Sequence, residues 1–576
     1  MGYCPARLMG NPMSNSTIAN PIRLAADLFA SRRTRLIQLA LFAAAIPVFW
    51  VTSLYDVDFG GVSTVGAERV LRGEIPYRDF WTMYAPGHFY LLAGVFYVFG
   101  TNLVVEAIAA AVLSALGVAL CYSLIRLMVG CSRLALVGTA VFGLALYNTG
   151  YFKRLSSYPP AVLLILAALY FLVLYFQGRK SSHLVWCGLS TGVLLLFKHD
   201  VGAYTAVAIG AGLMVDSLTH AVPGRPQKLR QATKPLVAYA FTAAAVAIPF
   251  LVYFVLTAGS QILEDLVIFP LTDFRFSRPE QYPSLLPVGI FDRSPVQFLN
   301  NLCTYLSFLF PFLMFVAGAI GIGMAWARKG SLHVALGSVF LVGFLLHYSA
   351  AHVQINTHFV TMSAYAAFLG ALVLATSEGG LGGLRPVGRV VLLLLVSAWC
   401  TSLAAKPLYV LWQTSRIASA TALPPKIAGF RVAPAEGQVL QELSAFVNAN
   451  LGPDEKVYVG LHRHDVVIIG DVMTYFVLDR PPSTRHHELH PGITDTPGVQ
   501  STMIQELRTN DVRLLVLKRI FSDEHLDRVK ADFQRHLSQV GASDLDVFIR
   551  ENYQPVREIG PYTVWVRAAV SRPLQP

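Results

Sequence analysis

The residues with the clearest potential for chemistry are five carboxylates between residues 55 and 80. Asp58 closely follows a long apolar run and precedes Phe59, Gly60 and Gly61. A carboxylate beside an apolar segment is partly desolvated and can take a proton from a hydroxyl group, so we predict that Asp58 is a general base. Asp56 is the alternative. The other interpretation is that these residues are solvated loop charges and helix caps: Asp56, Asp58, Glu68, Glu74 and Asp79.

Polar side chains that could bind a substrate occur in this stretch, shortly after it, and near residue 350. Near residue 350, His347 and His352 lie at the end of an apolar run, beside Tyr348 and Gln354. Ionisable groups in such surroundings are commonly functional, and hydrogen-bonded packing is the other interpretation. We expect substrate contacts from Arg78, Asp79, Tyr84, His88, His347 and His352.

A pair of cations stands between two other apolar runs. Lys153 and Arg154 lie just before Tyr158. Because a guanidinium can hold a phosphate through two parallel N–H bonds, we predict that Arg154 binds a phosphate group with help from Lys153 and Tyr158. The alternative is a pair of interfacial side chains that extend their charges to water. Lys198-His199-Asp200 is a weaker candidate, which we interpret as an ionic cap paired with itself.

Histidines also cluster near the C-terminus, as His462-x-His464-Asp465 and His486-His487-Glu488-x-His490. Such clusters can bind zinc, but surface polar contacts are the default interpretation, so the metal ligands stay unassigned. The six cysteines show no CxxC spacing, and no disulfide framework or zinc knuckle follows from them.

Composition identifies the elements that must position these residues. Of the 576 residues 54% are hydrophobic and 14% are charged, and the mean hydropathy is +0.53. Soluble domains carry about 25% charged residues, so the chain is predicted to be mainly α-helical and to cross a membrane. The net charge of +11 resides largely in short clusters between apolar runs, which argues against nucleic acid as a partner.

Eleven apolar runs have roughly the 20 residues that a spanning helix needs. The run 87–100 is shorter and begins with a proline and a glycine, so we predict that it lies in the membrane interface. The predicted spans are 36–54, 103–125, 134–151, 158–177, 183–199, 201–220, 235–257, 302–326, 332–350, 357–376 and 390–412.

Basic residues predict the sidedness. With a cytoplasmic N-terminus, the inside segments hold 17 Lys and Arg and the outside loops before the last span hold 9. This bias is typical of membrane proteins. We therefore predict a multi-pass plasma (inner) membrane protein with its C-terminal part on the exoplasmic or periplasmic side. We predict that the first span is kept as a membrane anchor and is not a signal peptide, because no convincing cleavage site follows it.

The chain divides into four predicted parts: a cytoplasmic segment 1–35, a membrane domain 36–412, a linker 413–435 and a small exoplasmic α/β domain 436–576. Outside loops are expected at 55–102 and at 258–301, the latter as a lid or binding loop. In the C-terminal part we predict helices near 437–450, before 514 and over 523–538. Strands are predicted at 457–460, 466–469 and 514–517, with a hairpin at 556–566 around Gly560-Pro561.

The first outside loop resembles that of GT-C glycosyltransferases, which include protein O-mannosyltransferases and the lipid A aminoarabinose transferase. The similarity lies in Asp58-x-Gly60, in the run from Ala67 to Phe80 and in Ala85-Pro86-Gly87. The resemblance implies that the carboxylate after the first span is the catalytic or acceptor-binding acid. It also implies that the proline-containing stretch forms helices along the membrane, and that the sugar transfer inverts the anomeric carbon.

Two functions therefore compete. The first is a glycosyltransferase that moves a sugar from a polyprenyl-phosphate donor to a lipid, glycan or protein acceptor at the outer face. It needs one base, because a phosphate leaves without a general acid when cations stabilise its charge. The sequence leaves open whether a divalent cation (Mg or Mn) takes part. The alternative is a transporter or flippase, which would place polar groups at mid-membrane; the ionisable residues gather instead at the predicted outer face.

Overall fold

A computed structural model describes residues 32–55, 61–148, 152–220, 233–272, 331–350, 422–537 and 539–568, with isolated positions between 274 and 320 and between 404 and 420. The predicted bases Asp56 and Asp58, the predicted ligand His352 and most of the loop 258–301 lie outside the described residues.

The N-terminal part is helical. Its helices are α1 (Arg32–Ser53), α2 (Gly61–Leu71), α3 (Gly87–Phe99), α4 (Leu103–Val129), α5 (Ser132–Asn148), α6 (Tyr158–Gly178), α7 (Ser181–Phe197), α8 (His199–His220), α9 (Lys234–Ala258) and α10 (Ser331–Ala350). All except α2 and α3 coincide with predicted spans. Five of them, α1, α4, α6, α8 and α9, are long and apolar enough to cross a membrane. The total of eleven spans stays a prediction.

Local sequence signals explain where these helices begin and end. The Asn102 side chain accepts a hydrogen bond from Val104 N (2.7 Å) at the start of α4, and Gly130, in the left-handed region at φ 73°, follows its end. The prolines at the start of α6 need no backbone donor there. The buried faces of α4, α6, α7, α8 and α10 form one apolar core.

Helix α3 is shorter than a typical spanning helix. Its 13 residues extend about 20 Å, less than the ~30 Å of a hydrocarbon core. Tyr97, Val98 and Phe99 at its end are exposed. That this run lies in the membrane interface stays a prediction.

The C-terminal region, by which we mean residues 422–568, folds around a four-stranded sheet. Its elements are α11 (Pro434–Asn450), β1 (Tyr458–Leu461), α12 (Met473–Leu478), α13 (Pro497–Thr509), β2 (Leu514–Lys518), α14 (Asp523–Phe533), α15 (Asp544–Asn552), β3 (Tyr553–Ile559) and β4 (Tyr562–Arg567). The strand order is β1-β2-β4-β3. The β1–β2 pair is parallel, and the hairpin β3–β4 and the β2–β4 pair are antiparallel.

Three local predictions for this region were wrong. Residues 466–469 form no strand: Val466 and Val467 are buried as loop residues beyond the end of β1, so their apolar character reflects burial without pairing. The short helices α12 and α15 were not predicted, because α12 is apolar and buried on all sides and shows no helical period. Helix α14 ends at Phe533, five residues earlier than expected.

The C-terminal region shares its core with the first loop. Ile427, Phe430 and Val432, which the sequence assigns to a linker, are buried in the same cluster as Val65 of α2 and Leu92 of α3. The predicted domain boundaries stay predictions. The predicted linker, however, packs in one core with helices α2 and α3 of the predicted membrane domain.

Candidate active site

Arg69 holds the first loop together from within. Its guanidinium donates to Glu74 Oε2 (2.6 Å), Asp79 O (3.0 Å) and Thr484 O (3.0 Å). It also lies 3.2 Å from His487 Nδ1, and it is 4% exposed. Burial lowers the pKa of Arg69, and the Glu74 carboxylate counteracts the effect. Arg69 therefore shapes the loop and connects it to the C-terminal region.

Arg78 and Asp79, both predicted to bind substrate, pair with each other. Asp79 Oδ2 accepts the Ile75 N–H (2.7 Å), and the guanidinium of Arg78 contacts both carboxylate oxygens, at 2.9 and 2.7 Å. The hydrogen bond from Arg78 is the main reason why the pKa of Asp79 lies below its usual value. Asp79 closes the turn over 75–79, whereas Arg78 is exposed.

His88 and Tyr84 stand at the start of α3. The ring of His88 lies 6.3 Å from that of Tyr84, and His88 Nδ1 is 2.9 Å from the carbonyl of Ala85. Because a carbonyl only accepts, Nδ1 carries the proton and Nε2 is left as an acceptor. Burial, with a smaller contribution from the Lys198 charge, lowers the pKa of His88 to about 3. His88 is therefore a neutral hydrogen-bonding group.

Lys198 lies between two predicted spanning helices, α7 and α8, next to the start of α3. It follows the end of α7, where Leu196 packs so closely on Gly87 that an added Cβ would lie 2.6 Å from the Leu196 carbonyl oxygen. Its Nζ is 3.1 Å from Asp200 Oδ2 and 5.2 Å from the centre of the Tyr158 ring. The ion pair with Asp200 is the contact expected of a cap. The ammonium also faces the ring of Tyr158, a predicted donor-site residue, and its positive charge contributes to the low pKa of His88.

His347 lies at the same end of the helix bundle. Its buried ring makes an edge contact with Tyr204, at 5.3 Å between centroids, and Tyr204 interacts electrostatically with Asp200 and Lys198. Lys198, which the sequence ranked lower, therefore contacts Tyr158 and acts electrostatically on His88. Two further predicted site residues lie one contact away, Tyr84 beside His88 and His347 beside Tyr204.

Arg154 occupies a different environment. It is fully buried, donates to Ser53 O at the end of α1 (3.0 Å), and stacks on Phe430. Its charge also acts on the buried Glu106 of α4. Lys153 is only half-buried. The predicted pair thus separates into a packed guanidinium and a more accessible ammonium, and the donor role of both stays a prediction.

The C-terminal histidines take part in packing and ion pairs. His462 Nε2 is 3.0 Å from Asp523, and His464 lies between Asp546 (2.7 Å) and the Tyr458 hydroxyl (2.8 Å). His486 stacks on Trp81. Among the residues that the structure describes, no group of three or more His, Cys, Asp or Glu side chains could hold a metal ion. Sequence reasoning missed Arg69 and Trp81, since no local pattern reveals partners so distant along the chain.

Comparison with known proteins identifies the fold. Residues 84–253, from the start of α3 into α9, match the family model described as dolichyl-phosphate-mannose-protein mannosyltransferase. The structure of ArnT from Cupriavidus metallidurans bound to undecaprenyl phosphate is similar in fold, with a TM-score of 0.52 and 14% identity over 92% of this chain and 98% of that one. This chain has an ArnT-like GT-C fold.

Two further structures are similar to this chain. The apo form of the same ArnT gives a TM-score of 0.50 and 15% identity, with the same coverage. The Saccharomyces cerevisiae Pmt1–Pmt2 complex bound to its sugar donor gives 0.36 and 18%, over 43% of this chain and 39% of that one. No curated protein matches this chain in sequence. The fold is that of a multi-pass membrane protein.

Proposed function

We propose that this protein is a GT-C glycosyltransferase that transfers a sugar from a polyprenyl-phosphate donor to an acceptor hydroxyl at the outer face of the plasma (inner) membrane. The observation that carries the proposal is the cluster around Lys198, which lies at the end of the bundle where α1 ends, five residues before Asp58. The similarity to a protein bound to undecaprenyl phosphate supports this class of donor.

In the proposed reaction Asp58 accepts the proton of the acceptor hydroxyl while its oxygen attacks the anomeric carbon. The bond to the donor phosphate breaks with inversion, and its electron pair leaves with the phosphate. Lys198 stabilises the charge on the leaving phosphate, with Lys153 and Tyr158 as further contacts. His88, neutral and with an acceptor nitrogen, and the tyrosine Tyr84 are suited to sugar hydroxyls.

Partners and cofactors follow from the same chemistry. The acceptor is a lipid, a glycan or a protein, and the bilayer holds the donor. Lys198 supplies one positive charge, and a divalent cation (Mg or Mn) could supply more. Activity that is lost in EDTA and restored by Mg or Mn would add a metal to the proposed site, whereas unchanged activity in EDTA would exclude that role.

The test begins with mass spectrometry of the lipid that co-purifies with the full-length protein, which identifies the sugar. Release of undecaprenyl phosphate from that donor is then measured in native membranes, which supply the acceptor. Asp58→Asn should retain donor binding but slow transfer about 10²- to 10⁴-fold, the contribution of a positioned base. Asp79→Asn is the matched control, because Asp79 already caps a turn.

Two outcomes would change the proposal. If Asp56→Asn is inactive and Asp58→Asn transfers at the wild-type rate, the base is Asp56. If all three variants remain fully active, the catalytic role of this loop is wrong.

A further inference from the structure

Tyr77 in the first loop has a backbone conformation that a large side chain seldom adopts. Its φ is 68°, in the left-handed region. Among the residues that the structure describes, three other non-glycine positions have a positive φ, and each follows the end of a helix, where this conformation is common: Arg179, Asp479 and Asp511. Tyr77 lies six residues beyond the end of α2 and caps no helix. Strain of this kind persists only where surrounding contacts impose it, and it is concentrated at functional sites.

Contacts from three parts of the chain hold Tyr77 in this conformation. Its N–H donates to the Phe80 carbonyl (2.8 Å), and its own carbonyl accepts a hydrogen bond from the Arg485 guanidinium (2.9 Å). The Trp81 N–H donates in turn to the Arg485 carbonyl (3.1 Å). The ring of Tyr77 is fully buried and makes an edge contact with Phe254 of α9, at 5.5 Å between centroids. The first loop, the helix bundle and the C-terminal region therefore fix one residue.

The hydroxyl of Tyr77 reaches the turn before α3. It donates to the Tyr84 carbonyl (2.8 Å). Burial raises the pKa of Tyr77 well above its usual value, so the hydroxyl keeps the proton that this bond requires. The next carbonyl along the chain, that of Ala85, accepts the proton on Nδ1 of His88 (2.9 Å). The bond from Tyr77 therefore fixes the turn that orients the His88 ring.

Helix α3 cannot move as a whole to absorb a change in this turn. A Cβ added at Gly87 would lie 2.6 Å from the carbonyl oxygen of Leu196, two residues before Lys198, so the start of α3 and the end of α7 are in direct contact. A change in the turn is therefore transmitted to the His88 ring and alters its orientation relative to Lys198.

We propose that Tyr77 is a positioning residue of the active site, whose hydroxyl orients His88 towards the sugar of the donor beside Lys198. Tyr77 itself does not contact the sugar in this assignment. The C-terminal region takes part through Arg485, which the chain contributes from 408 residues further along. The inference rests on the proposed function, because it requires His88 to contact the sugar.

The first test is Tyr77→Phe, which removes the hydroxyl and keeps the ring against Phe254. Release of undecaprenyl phosphate in native membranes should slow about ten- to a hundredfold, since a misplacement of about 1 Å can cost on the order of a hundredfold in rate. The affinity of the purified protein for undecaprenyl phosphate should stay at the wild-type value, because this lipid has no sugar for His88 to contact. Weaker binding of the lipid would overturn the positioning role.

Tyr553→Phe is the matched control. Tyr553 is also buried, and its hydroxyl donates to the Val512 carbonyl over the same distance, 2.8 Å, at the start of β3. Both variants lose one hydrogen bond to a backbone carbonyl, so both should lower the unfolding temperature, but Tyr553→Phe should transfer sugar at the wild-type rate. A fall in rate of the same size in both variants would show that Tyr77→Phe acts through stability alone and would overturn the inference.

A double-mutant cycle tests the route through His88. Adding Tyr77→Phe to His88→Gln should slow the release of undecaprenyl phosphate no further than His88→Gln does, because residues that act through one another have non-additive effects. Equal losses in both backgrounds would contradict the proposal. Arg485→Gln, at a half-buried position, removes the charged donor from the Tyr77 carbonyl. It should show the same non-additivity with His88→Gln, and it decides the inference if Tyr77→Phe does not fold.

The outcomes separate this inference from the proposed function. If Tyr77→Phe transfers at the wild-type rate while His88→Gln is impaired, the positioning role is wrong and His88 keeps its place in the site. If His88→Gln also transfers at the wild-type rate, both the positioning role and the assignment of His88 to the sugar are wrong. A wild-type protein that releases no undecaprenyl phosphate would contradict the proposed function and this inference together.

Discussion

The guanidinium carbon of Arg154 lies 4.5 Å from the centre of the Phe430 ring, so a cation before α6 packs on an aromatic residue of the C-terminal region. Arg154 also donates to the Ser53 carbonyl, and its charge acts on Glu106. Four parts of the chain therefore meet at one buried side chain. A phosphate at Arg154 would have to compete with these contacts.

We predict that Arg154→Met destabilises the protein, because it leaves Glu106 buried without its neighbouring positive charge. The loss should be about 1–3 kcal/mol, the cost of leaving a buried polar group without its partner, and thermal unfolding in detergent measures it. Adding Glu106→Gln to the same chain should restore part of the stability. Wild-type stability combined with weaker binding of undecaprenyl phosphate would instead show that Arg154 is a phosphate ligand, as the sequence predicts.

Lys198→Met should weaken the binding of undecaprenyl phosphate about ten- to a hundredfold. A hydrogen bond to a charged group contributes about 1.5–3 kcal/mol, and 1.4 kcal/mol corresponds to a factor of ten in affinity. Titration of the purified protein with the lipid provides the measurement. Lys180→Met, at an exposed position before α7, is the control. Equal affinity in wild type and Lys198→Met would reduce Lys198 to an ion-pair partner of Asp200.

Acid should loosen the contact between the first loop and the C-terminal region. Burial lowers the pKa of His486 to about 3 and that of His487 well below its usual value, so both are neutral in the folded protein. In the unfolded chain both histidines have the ordinary pKa of about 6.5. Below that pH the unfolded chain therefore binds more protons than the folded protein. Stability is therefore fully present above pH 6.5 and decreases as the pH falls from there towards 3.

Each of these histidines contributes at most about 1.4 kcal/mol per pH unit. Thermal unfolding of His486→Gln between pH 7 and 4.5 should show a shallower pH dependence than wild type. His536→Gln, at an exposed position, should follow the wild-type curve. Parallel curves for wild type and His486→Gln would contradict the prediction.

The sidedness can be tested with single cysteines in a cysteine-free chain. Leu71 in the first loop and Asp454 in the C-terminal region are exposed, so Leu71→Cys and Asp454→Cys should both react with an impermeant reagent added from outside. Ser182→Cys, at the other end of the bundle, should react only after permeabilisation. The reverse pattern at any of the three positions would refute the predicted topology.

Sequence alone located the eight long apolar helices that the structure describes at predicted spans. A spanning helix must satisfy its backbone hydrogen bonds internally and present about 20 apolar residues to the hydrocarbon core, so its apolar run is a local signal. The hairpin at Gly560 was predictable for a similar reason, since turn residues and alternating strands are local signals. The resemblance of the first loop predicted the GT-C fold, which the similarity to ArnT supports. Each of these signals occupies a short, continuous stretch.

Tertiary structure decided which polar residues share a site. Arg69 and His487 are 418 positions apart, and no local pattern encodes their contact. Lys198 and Arg154 look alike in sequence as cations between apolar runs, but Lys198 faces Tyr158, whereas Arg154 is enclosed by Ser53 and Phe430. The pattern of residues 466–469 predicts a strand, but they form a loop in which only Val466 and Val467 are buried. Which side chains are buried, and which residues they contact, depends on the distant segments that pack together. That packing arises only when the whole chain has folded.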